Sequence, residues 1–200
     1  VNKALLLLLA SIIAAQTARA QQMMPGRTAM STTAAQQGTC VLRDSSRVTG
    51  RLWLTPTKAG ELLVKTEDDQ QFNYTPAQLA YFTFGTAKYI TIDFPNEKGS
   101  PATRPVFAQV VATGKIEAIR YSFVRNVGGL LVSTLLVRPI GSSAWTSLPE
   151  NGGLKQLREV VGPLVADQPS FARVLVSGRI NYDNLLEYIV SYNGYVAKQP

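Results

Sequence analysis

Residues 106–123 read VFAQVVATGKIEAIRYSF. Two runs rich in β-branched and aromatic residues flank Gly114-Lys115, and a glycine opening a two-residue link is what a tight hairpin of the II′ type requires. Alternation places Ile116, Ala118, Arg120 and Ser122 on one side of the second strand, with Glu117, Ile119, Tyr121 and Phe123 on the other. The second set is the more apolar, which aims Arg120 away from the core.

The same texture extends both ways, from Cys40 to about Pro149, in short runs separated by Gly, Pro, Asp and Asn clusters. In RVTGRLWLT (47–55), Val48, Gly50, Leu52 and Leu54 alternate with Thr49, Arg51, Trp53 and Thr55, the pattern of a half-buried strand with one wetter face. ELLVKT (61–66) and QFNY (71–74) follow, joined by the turn Glu67-Asp68-Asp69-Gln70. Thr75-Pro76-Ala77-Gln78 has an N-cap and a proline at the first helical position, which predicts a single helical turn. AYFTF (80–84) and AKYITIDF (87–94) are two more strands, and Pro95 to Pro105 a polar loop. LLVSTLLV (130–137) and AWTSL (144–148) bring the expected count to about nine strands.

Beyond Asn151 the hydrophobic period changes from two to 3.6. Leu154, Leu157, Val160, Val161, Leu164 and Val165 share one helical face, with Pro163 expected to kink or end that helix. Asp167 or Ser170 can cap a second helix carrying Phe171, Val174 and Leu175, stopped by Gly178. Asn181 can cap a third, with Leu185, Leu186, Ile189, Val190 and Tyr192 as its buried stripe and Gly194 as its end. Strands first and helices last predict an α+β fold, an antiparallel β-rich domain with a C-terminal cluster of three short helices.

At the other end, Lys3, the apolar run Ala4 to Ala15 and the small-x-small triplet Ala18-Arg19-Ala20 form the pattern of a cleavable signal peptide over residues 1–20. About twelve apolar residues reach only ~18 Å as a helix, short of a hydrocarbon core ~30 Å thick. Residues 21–38 carry one charge and no useful period, and read as a flexible leader. The expected organisation is therefore a signal peptide, a leader, and one domain over 39–196, β-rich to 149 and helical from 150. Export to the periplasm or the extracellular space follows. Cys40 lies too far beyond the apolar run to be a lipidated cysteine and is expected as a small buried hydrophobe.

Composition removes several chemistries. The 200 residues include no His and one Cys, so no Ser-His-Asp or Cys-His site and no intrachain disulfide can form. No phosphate loop, serine elbow or spaced calcium loop is present, and neither a cofactor nor a metal is called for. Acids remain as a His-free catalytic device, and a carboxylate-dependent cell-envelope hydrolase, with Asp93 and Glu117 drawn into one cleft, is the alternative function.

Several fragments, in order, resemble a family of exported β-rich proteins of Bacteroidota-type bacteria: VLRDSSRVTGRL, FNYTPAQLAYFTF, GKIEAIRY and NLLEYIVSYN. The matching features are Tyr74 to Pro76, Gly114-Lys115, Arg120-Tyr121 and Tyr192-Asn193. The resemblance implies a small β domain with a helical tail and brings no catalytic residue and no ligand.

Charge is more informative by region than in total. The chain carries 20 Lys and Arg against 13 Asp and Glu, a net +7. Residues 101–138 hold Arg104, Lys115, Arg120, Arg125 and Arg138 against Glu117 alone. Lys115, Arg120, Tyr121 and Arg125 are therefore the candidate binding residues, a basic and aromatic cluster of the kind that meets anions. Export argues against nucleic acid as partner and favours an acidic glycan, an anionic lipid or an envelope protein. The expected function is a non-enzymatic envelope or secreted module acting by surface binding. A membrane-peripheral role is a third reading, and it predicts exposed apolar residues on the C-terminal helices.

Overall fold

The computed structural model describes residues 34–55, 57, 60–95, 102–125, 130–149 and 153–199. The segments read as signal peptide and, up to residue 33, as leader lie outside them. Ten strands form one antiparallel sheet: β1 (Gln36–Leu42), β2 (Arg47–Thr55), β3 (Glu61–Lys65), β4 (Gln71–Tyr74), β5 (Leu79–Phe84), β6 (Ala87–Pro95), β7 (Thr103–Ala112), β8 (Ile116–Arg125), β9 (Leu130–Pro139) and β10 (Thr146–Pro149). Three helices follow, α1 (Leu154–Val165), α2 (Pro169–Val176) and α3 (Tyr182–Val196). The fold is α+β and β-rich.

Across the sheet the strands run β10-β9-β8-β7-β6-β5-β1-β2-β3-β4. The strand expected to open at Cys40 is β1. It begins at Gln36, inside the stretch read as leader, because pairing with β2 and β5 on both sides outweighs the weak strand tendency of Gln-Gln-Gly.

The order carries a geometric consequence. β4 and β5 lie four strand spacings apart in the sheet, about 19 Å if it were flat. They are joined only by Thr75–Gln78, a tight turn closed by Gln78 N–H donating to the Thr75 carbonyl at 3.0 Å. The five strands must therefore curl into an open barrel. Gly38 and Gly50, partners in register, permit the curl: a Cβ on Gly38 would sit 2.1 Å from the Thr83 carbonyl oxygen, and one on Gly50 2.3 Å from that of Lys65. The barrel encloses Cys40, Leu52, Leu62, Val64, Tyr74, Leu79, Phe82 and Phe84, with Phe107 entering from β7. Phe82 meets Phe107 edge-on at 5.0 Å and stacks on Tyr89 at 4.8 Å.

Strands β7 to β10 carry a buried cluster on each face. One face packs Ala112, Ile116, Ala118, Leu135, Val137 and Leu148 against Leu157, Val161, Val165, Leu175, Leu185, Ile189 and Tyr192 of the helices. The other gathers Ile92, Val106, Ala108, Ile119, Tyr121 and Leu136. The side of β8 expected to face away from the core thus supplies Ile116 and Ala118, both fully buried under the helices.

Several local expectations are corrected. α1 runs through Pro163, which stands in its last turn and forfeits only one backbone bond. α3 continues past Gly194 to Val196, since Tyr195 reaches Phe171 at 5.5 Å and Val196 packs on the core. Gln168 rather than Asp167 or Ser170 stands at the N-cap position of α2, without a side-chain capping bond, and Pro169 presets the first turn. The Asn181 cap of α3 forms as expected, in a reciprocal box with Asn184. Val190 is 50% exposed, and Tyr188 takes the place in the buried stripe expected for it. β7 starts at Thr103, so the loop after β6 is shorter than expected.

Candidate functional site

The basic hairpin carries Lys115 in its link and Arg120 and Tyr121 on β8. Lys115 Nζ lies 2.6 Å from Asp167 Oδ2, and Tyr192 Oη donates to Asp167 Oδ1 at 2.7 Å. The Lys115 ammonium and the Tyr192 hydroxyl hold the Asp167 carboxyl at about 2, well below its usual range, while Asp167 raises Lys115. Next to this triad, Asn193 fills the hairpin link. Its Oδ1 accepts from Ile116 N–H at 2.9 Å, and its Nδ2 donates to the carbonyls of Ile116 at 2.7 Å and Thr113 at 3.2 Å. The link is therefore not a self-closed II′ turn: β7 ends at Ala112, β8 resumes at Ile116, and Gly114 has φ 138° with its absent Cβ facing Asn193 Cγ at 2.7 Å. Gly114-Lys115 and Tyr192-Asn193, remote in sequence, meet as a lock between hairpin and α3.

Lys115 is thus engaged internally. Arg120 is exposed, in a cross-strand row that runs Tyr89, Gln109, Arg120, Leu135 from barrel to helix layer. Tyr121 points to the opposite face and is 2% exposed. The side chain of Arg125 lies outside the described residues. The structure does not gather Lys115, Arg120 and Tyr121 on one face. The cation that reaches Tyr121 is Arg104, whose Nη2 donates to Tyr121 Oη at 3.1 Å beside Phe94; it is visible in the sequence only as one more charge of the basic region.

The two candidate acids also stand apart. Asp93 pairs with Pro105 near one end of β7, whereas Glu117 sits on the opposite face at the other end of the sheet, roughly 20 Å along the strands. Glu117 is held by Arg138 at 2.6 Å, and the Arg138 guanidinium lies 4.0 Å over the Trp145 ring. On the helices, Leu154, Val174, Val176, Val190 and Tyr195 are exposed apolar side chains.

The site that alternation missed is on the outer wall of the barrel. Gln37 of β1, Gly50, Arg51 and Trp53 of β2, Lys65 of β3, and Thr66, Glu67 and Asp69 of the following turn line a groove of about 350 Å³. That is the lower end of the roughly 300–1,000 Å³ of small-molecule sites. Gln37, Arg51 and Lys65 are direct cross-strand partners, so three polar side chains form one row across three strands. Like charges opposed in register, as Arg51 and Lys65 are, destabilise a sheet. Asp69 offsets half of this by pairing with Lys65 at 2.7 Å, and Arg51 has no ion pair among the described residues. Trp53, half-buried, follows Arg51 on the same side of β2. The wetter face of RVTGRLWLT was legible in the sequence; that β1 and the β3–β4 turn would wall it in was not.

Comparison with protein-family models, with curated proteins and with solved structures finds no match to this chain.

Proposed function

We propose that this chain is an exported, non-enzymatic module that acts by binding a partner on its surface, in the cell envelope or outside it, and that the barrel-wall groove is where it binds. The observation that carries the reading is the row Gln37-Arg51-Lys65 beside Trp53, polar and aromatic groups converging on one groove from paired strands. The paired strands fix the backbone positions from which these side chains emerge, while Gln37, Arg51 and Lys65 still lose rotamer freedom when a partner orders them. Export rests on the pattern of residues 1–20, and the ordered fragments similar to the exported Bacteroidota-type family agree with it. The test expresses the full chain in an exporting host, determines the N-terminus of the exported protein, and cosediments wild type and Trp53→Ala with washed envelopes. A start at Gln21 with binding that Trp53→Ala abolishes is the expected result. Retention of Leu5 to Leu9 overturns the cleavable signal peptide, recovery of the chain in the cytoplasm alone overturns export, and equal sedimentation of the two proteins overturns the groove.

A further inference from the structure

Resting on that reading, we infer that the groove takes an acidic saccharide, a uronate ring stacked on Trp53 with its carboxylate against Arg51. Three features select this class. First, Arg51 is the groove's cation without an ion pair among the described residues, opposed in register by Lys65. A bound carboxylate relieves that repulsion, and the planar guanidinium can grip it through two parallel bonds.

Second, Trp53 is two residues along the same strand from Arg51, so the side chains emerge about 7 Å apart on one face. An exocyclic carboxylate on a ring stacked over the indole falls within that reach, with one charge-assisted bond of ~2.8 Å completing it. Third, the remaining lining suits hydroxyl groups. The Gln37 amide both donates and accepts, and the Glu67 carboxylate accepts; neither side chain has a hydrogen bond among the described residues.

Glu67 and Asp69 line the same groove as Arg51, so the ligand sets one carboxylate at Arg51 and turns hydroxyl-bearing ring edges toward the acids.

The probe is trigalacturonate, with its fully methyl-esterified form as a control of the same rings without charge, titrated into the mature wild type, Arg51→Gln, Trp53→Phe and Trp53→Ala by calorimetry. Thermal melting of each variant confirms folding, and Trp53→Phe keeps a stacking ring if Trp53→Ala does not fold. The expected result is salt-sensitive binding of the acid, weakened about tenfold or more by esterification and by Arg51→Gln, and retained in part by Trp53→Phe. Equal affinity for acid and ester overturns the uronate assignment while leaving a saccharide groove. No binding of either sugar by a protein whose envelope binding still depends on Trp53 overturns the ligand class and leaves the module. Binding of the acid unchanged in Arg51→Gln and Trp53→Ala overturns the groove as its site.

Discussion

Asp167 shows how one residue can lose the role its sequence position offers. Standing before Pro169 it has the form of a helix cap, yet its carboxylate is taken by Lys115 and Tyr192 from two other elements. Because the folded carboxyl titrates at about 2, below an unfolded value near 4, its contribution is present above pH ~4 and disappears as pH falls toward 2. The pair is partly exposed, which keeps the contribution small. Asp167→Asn is therefore expected to lower the melting temperature by about 2 °C at neutral pH and to flatten its acid dependence between pH 4 and 2. Melting curves across that range check it, and parallel curves for both proteins contradict the assignment.

At the level of elements, the β7–β8 hairpin was legible as two strands and illegible as a turn. Alternation and β-branched residues mark Val106–Ala112 and Ile116–Phe123, but the turn's hydrogen bonds go to Asn193, some eighty residues later, and no local pattern announces that. α3 was legible from its Asn181 cap and its stripe, and its end was not, because Gly194 stops a helix only where nothing holds the following turn. The polar start of β1, ahead of the strand expected at Cys40, was hidden for a related reason: it becomes a strand by lying between two others. The groove inherits this limit, since Trp53 and Arg51 can be assigned a wet face from alternation while the partners Gln37 and Lys65 depend on register. The lock itself is open to trial. Asn193→Ala leaves the N–H and carbonyl of fully buried Ile116 without their Asn193 partners, a loss on the order of 3 kcal/mol, measurable as a lowered urea midpoint at unchanged slope.

Across the whole sheet the barrel and the helix-covered half share a strand. β7 places Phe107 in the barrel, Val106 and Ala108 on the opposite face, and Ala112 under the helices, so each of the three buried clusters takes part of its packing from one ten-residue element. Loosening any cluster displaces β7 and weakens the other two. Cooperative unfolding of all described elements is the consequence, although the barrel and the helical layer look separable in chain order. The two tryptophans report on different parts, Trp53 on the barrel wall and Trp145 on the cluster of β6 to β9. In Trp53→Phe and Trp145→Phe proteins, each with one indole left, fluorescence and helical circular dichroism are expected to give one midpoint. Phe107→Ala, which removes a ring from the barrel, costs about 3–5 kcal/mol and should lower the fluorescence midpoint of Trp145 as much as that of Trp53. A barrel that melts below the helices in that variant, with Trp145 unmoved, would show that β7 divides the clusters instead of joining them.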